Sequence, residues 1–175
     1  MRTIPTRIYQ VNDIIATYLY DYLNTEQVRA ILNSTISDIV EQQVIILNGH
    51  DNSIPHMPVI VVESTNEVDE RTAVGIVTQT HTFNITADIR RTQSVMAERG
   101  IRRLATAIKH VLNHVIAFDI TLEDGAVYTV WDISGDIVTE YGYRQSKNVR
   151  AAQLQWKCKV DIPFVKLYGE AVAIP

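Results

Sequence analysis

The chain has 175 residues, of which 46% are hydrophobic and 21% charged, with a formal net charge of −4. These proportions describe a folded globular chain, large enough to bury roughly 70% of its unfolded surface, and exclude a disordered polymer. The acid excess argues against a whole-domain electrostatic grip on nucleic acid, which needs a basic face. One cysteine, Cys158, excludes an intramolecular disulfide.

Met1-Arg-Thr-Ile-Pro runs into polar residues rather than a continuous apolar stretch, so no secretory leader is expected. No stretch approaches the ~20 apolar residues that span a bilayer. Both features predict a protein used in a cytoplasm-like compartment, or in a particle assembled there.

Ile8, Val11, Ile14, Ile15, Tyr18, Leu19, Tyr22 and Leu23 recur at three- and four-residue steps and predict an amphipathic helix. Thr25 is positioned to cap a second, shorter helix carrying Val28, Ile31 and Leu32. Tyr9, Tyr18, Tyr20 and Tyr22 exceed what one stripe buries, so part of this aromatic surface is expected to face another protein. Turn chemistry from Asn48 to Pro58 divides the chain into an N-terminal helical element, residues 1–50, and an α+β core, residues 51–175. The two are expected to form one compact domain.

Val59-Ile-Val-Val-Glu reads as a buried strand and residues 65–72 as an exposed charged loop. From Thr78 to Asp88 the alternation is that of a half-buried antiparallel strand, with Phe83, Ile85 and Ala87 inward and Thr82, Asn84, Thr86 and Asp88 outward. The strongest helix runs from about Thr92, as N-cap, to Val115, on the stripe Ile101, Leu104, Ala105, Ile108, Val111, Leu112 and Val115. Gly100 within it marks a kink or a close approach to the sheet, since glycine otherwise costs about 1 kcal/mol there. Asp124-Gly125 is a tight turn, Val127–Ile133 a strand, and Ser134-Gly135-Asp136 a turn into Ile137–Tyr143. The last strand places Ala152, Leu154, Trp156, Cys158, Val160, Ile162 and Phe164 on one face, with Gln153, Gln155, Lys157, Lys159 and Asp161 on the other. Its length predicts that it reaches past its own sheet to pair elsewhere. The order predicts an α+β fold, an antiparallel or mixed sheet with a long amphipathic helix on one face.

No phosphate-binding glycine loop, nucleophile elbow or HExxH motif occurs. Among His50, His56, His81, His110 and His114, the pair His110 and His114 shares one helical face, with Asp119 as a possible third metal ligand. No cysteine cluster supports such a site, and two solvated helix histidines are the simpler expectation. Asp132 and Asp136 flank a turn, and Glu67, Asp69 and Glu70 cluster as a solvated tip or a charged contact patch. Arg90, Arg91, Arg99, Arg102 and Arg103 fit ion pairs between subunits better than RNA recognition, which interleaves aromatics. Cys158 reads as a small core residue. No cofactor and no catalytic residue is expected.

Pro58-Val-Ile-Val-Val-Glu, the strand Thr80-His-Thr-Phe-Asn-Ile-Thr-Ala-Asp-Ile, the long helix that follows, the Trp-bearing hairpin and Gln153-Leu-Gln-Trp-Lys-Cys-Lys-Val-Asp-Ile-Pro form a familiar order. Over roughly residues 58 to 165 the chain resembles the tail-terminator, or tail-completion, neck proteins of long-tailed bacteriophages. The resemblance implies a virion protein forming a homo-oligomeric ring, typically a hexamer, at the head-proximal end of a tail. Such a ring stops growth of the tail tube, meets the head-side connector or stopper and, in contractile tails, the sheath. DNA passes through its lumen without sequence-specific binding. The interaction residues then expected are Glu67, Val68, Asp69, Glu70 and Arg71 in the charged segment, Arg99, Arg102 and Arg103 on the helix, and Gln153, Gln155 and Lys157 on the last strand. The alternatives are another neck, tail or baseplate component, a small metal-dependent enzyme using His110, His114 and Asp119, and a small-ligand-binding domain.

Overall fold

A computed structural model describes residues 11–49, 57–131, 137–143 and 149–168 of the chain. The apolar stripe of the N-terminus forms helix α1, Val11–Leu23, with Val11, Ile15, Leu19 and Leu23 buried. Helix α2, Glu26–Ile36, follows at once. Thr25 does not cap it by its side chain; its hydroxyl donates to the Tyr22 carbonyl at 2.8 Å. A short strand, β1 (Ile45–Asn48), lies in the segment expected to be helical. It pairs in parallel with β2 (Val59–Ala73), so the N-terminal element is joined directly to the sheet.

Strand β2 and strand β3, Ile76–Arg90, form a long antiparallel hairpin around Val74 and Gly75, where Gly75 takes φ 79°. Residues 65–72 are therefore strand and not loop, although all of them are exposed. Helix α3, Ser94–Leu112, carries the predicted stripe; it starts after Gln93 rather than Thr92 and has no side-chain cap. The close approach expected at Gly100 is present. A Cβ there would lie 3.2 Å from Ile89 Cδ1 and 3.3 Å from Ile39 Cγ2. Next come β4 (Phe118–Thr121), β5 (Val127–Trp131), β6 (Val138–Tyr143), β7 (Val149–Pro163) and the short helix α4 (Phe164–Tyr168). The tight turn at Asp124-Gly125 joins β4 to β5, with Asp124 accepting from the Ala126 amide at 3.0 Å.

The fold is α+β. One mixed seven-stranded sheet has the order β1-β2-β3-β7-β5-β4, with β6 also on β7. Helices α1 and α3 pack on one face, and α2 packs on α3. A single hydrophobic core joins residues of α1, α2 and β1 to those of the sheet and α3. The Tyr22 hydroxyl donates to the Val111 carbonyl at 2.8 Å, and Tyr18 stacks on Phe118 with ring centroids 3.7 Å apart. Tyr18, Tyr20 and Tyr22 are thus spent partly on the chain's own core, while Tyr9 lies outside the described residues.

The inward face of β7 is as predicted from Ala152 to Ile162, with Trp156 1% exposed. Phe164 instead opens α4. The long strand does not overhang. It lies inside the sheet, paired with β3 along its whole length and with β6 and β5 on its other side. Strand β3 is central and loses solvent on both faces: Thr82, Thr86 and Asp88, expected outward, are buried. Full-length neighbours on both edges and the curl of the sheet enclose these short side chains.

Candidate interaction surfaces

Strand β2 pairs with β1 only from Val59 to Val62. Beyond Val62 only β3 pairs with it among the described residues, which leaves an edge strand open from Glu63 to Ala73. That edge carries four acids and one arginine. A register shift between Ser64 and Asn66 makes Thr65 a bulge residue, and its hydroxyl donates to the Thr82 carbonyl at 3.1 Å. The extra residue reverses the facing of everything after it. Glu67, Asp69 and Arg71 consequently share a face with His81, Gln79 and Val77.

The Gln79 side-chain amide donates to Glu67 and to Asp69, both at 3.0 Å. Burial, and then the neighbouring Asp69, raise the Glu67 carboxyl above its ordinary value. His81 is fully buried, its Nδ1 3.7 Å from Glu67 Oε2, and neither ring nitrogen has a hydrogen-bond partner. Burial pushes its pKa down to about 4 against the pull of Asp69, so the ring is neutral near pH 7. Gln79 and His81 were not singled out in the sequence. Extending the β3 alternation back from Phe83 places both on the inner face, but only the bulge brings the acids to them.

Arg71 lies over the Phe164 ring at 4.2 Å from its centroid, closing the hairpin tip against α4. A cavity of about 530 Å³ there is lined by Arg71–Ile76 and Phe164.

Arg99, Arg102 and Arg103 lie on α3, away from β2. Arg102 pairs with Glu98 at 2.8 Å, and Arg103 grips both oxygens of Asp38 at 2.8 and 2.9 Å. The Arg103 bond is the main cause that holds the Asp38 carboxyl below its ordinary value. Between α2 and α3 runs a groove of about 460 Å³. Gln153, Gln155 and Lys157 occupy the outward face of β7, opposite Thr86, Asn84 and Thr82 of β3. The helix arginines therefore form a surface of their own, whereas Val68 and Glu70 share the outer face of the sheet with Gln153, Gln155 and Lys157.

His110 and His114 sit edge to face, with ring centroids 4.6 Å apart, and His114 Nδ1 lies 2.8 Å from the His110 carbonyl. Asp119 accepts a hydrogen bond from Thr129 at 2.7 Å. Among the described residues no three His, Cys, Asp or Glu side chains converge as a metal site. Cys158 is buried, which pushes its thiol up to about 12 and keeps it protonated. His50, His56, Asp132 and Asp136 lie outside the described residues. Among those described, no helix is long and apolar enough to cross a membrane.

In sequence the chain matches no protein-family model and no curated protein. In structure it is similar to a chain solved in the "Virion of native gene transfer agent (GTA) particle". The TM-score is 0.56 and the identity 14%, over 87% of this chain and 98% of that one. At that identity the likeness establishes a shared fold.

Proposed function

We propose that the chain is a structural, non-enzymatic subunit of a phage-type virion. It forms a homo-oligomeric ring, a hexamer, at the head-proximal end of a tail, where it ends tube growth and joins the tail to the head-side connector. The observation that carries this is the match of nearly the whole of both chains to one from a gene transfer agent virion. A match of that extent leaves little of either chain for an unrelated domain. The element order that resembles tail terminators supports the neck position. Copies of the chain, the tube protein, the stopper and, in a contractile tail, the sheath are the partners, and DNA passes through the lumen. Residues 1–50 and 51–175 act as one body within each subunit.

The test is light scattering of the purified protein with negative-stain imaging, alone and with tail tubes. Rings in solution or on tube ends are expected. A monomer or dimer that ignores tube ends overturns the ring. A second reading, another neck or tail component, is tested in the same images: decoration of the tube's distal end or of heads alone favours it.

A further inference from the structure

Two surfaces of the molecule are complementary in character. One is the open edge of β2. After the bulge, Asn66, Val68 and Glu70 share one face of that edge, and Val68 stands 51% exposed between the two polar residues. An isopropyl group held out on an acidic strand covers nothing of its own core. The other is the α2–α3 groove. Ile31 and Ala107 give it an apolar lining, and Arg102, Arg103 and His110 border it.

We propose, resting on the ring assignment above, that one copy's β2 edge docks in the α2–α3 groove of the next copy, with Val68 as its apolar anchor. Residues two apart on a strand lie roughly 7 Å apart on the same face. Glu70 is therefore carried toward the arginines when Val68 contacts Ile31 and Ala107, while Asn66 supplies an uncharged donor on the other side. Both arginines already hold an acid of their own chain. Each guanidinium has further N–H donors to offer, and the Arg102 pair with Glu98 is solvent-exposed and exchanges easily. The charges set which patch meets which, and the apolar anchor excludes water. Because the two patches differ, the contact is head-to-tail: it continues from copy to copy instead of stopping at a symmetric pair, and a ring results when its rotation closes.

The experiment is a charge swap read by light scattering and negative stain, in solution and on tube ends. Glu70→Arg and Arg102→Glu are each expected to weaken ring association by about tenfold or more, and the double variant to recover most of it. Val68→Ser, which changes no charge, is expected to weaken it as well. Thermal melts of the unassembled variants check folding; these side chains are exposed, so unchanged melts are expected. Rings that form normally in both single variants overturn the docking but leave the ring assignment standing. Loss in both singles without recovery in the double overturns the pairing. A wild-type chain that forms no ring under any of these conditions overturns both.

Discussion

The two halves of β2 are one continuous strand with opposite surroundings. Val59, Ile60, Val61 and Val62 are each at most 1% exposed, lie between β1 and β3, and lose solvent on both faces. From Ser64 to Ala73 every residue is exposed, and β3 is the only strand that pairs with it among the described residues. Backbone conformation is shared, so it does not explain the difference. Neighbours do: the first half is built into a core, and the second is held out beside one. The row Ser64–Phe83–Trp156 is where one character gives way to the other.

The largest expected effect comes from breaking that row on its buried side. Trp156→Ala should cost about 3–5 kcal/mol in chemical denaturation, because a fully enclosed indole leaves a cavity. A loss below about 1 kcal/mol would contradict the packing of β7 against α3.

Next is acidity. Folded His81 stays neutral down to about pH 4, whereas an unfolded histidine titrates near 6.5. Between those values the unfolded chain binds the extra proton. Stability should therefore fall as pH drops from 6.5 toward 4, by up to about 3 kcal/mol from this group. The raised carboxyl of Glu67 works the other way, taking its proton sooner in the folded chain and so adding stability as pH falls. His81→Leu isolates the histidine. It should flatten the slope between pH 6.5 and 4, and raise stability at pH 7 by about 1–2 kcal/mol by removing two buried, unpartnered nitrogens. Parallel pH profiles for the two proteins would dismiss the histidine as the cause.

The smallest effect belongs to the exposed half. Val68→Ala should change monomer stability by less than about 0.5 kcal/mol, since the side chain covers no core. A larger loss, measured in the same denaturation series, would mean that this half of β2 is folded against something.

Periodicity made the elements with one clear neighbour legible. The α3 stripe and the inward face of β7 could be read residue by residue, because a face that packs on one layer must be apolar at a fixed step. Residues 65–72 could not be read that way. An edge strand exposed on both faces has no apolar face, so its sequence is that of a loop. Strand β3 was legible as an antiparallel strand, but its burial was not, for the opposite reason: enclosure on both faces was disguised by threonines, which tolerate burial when bonded. The hydroxyl of Thr78 shows this, donating to Asp161 at 2.5 Å. Strands β1 and β4, four residues each, are too short to show a period. In the candidate surfaces, the charged segment and the helix arginines were visible as residue types. Their separation follows from the place of α3 in the fold, and the gathering of Glu67 and Asp69 around Gln79 and His81 depends on a single inserted residue, Thr65, that no pattern announces.

An open strand edge is also a hazard, since unpaired amides and carbonyls invite any other chain to extend the sheet. Four acids along one such edge make identical edges repel, which disfavours edge-to-edge growth into ribbons. Neutralising those acids, by mutation or by low pH, should increase edge-to-edge association, measured as a rise in light scattering.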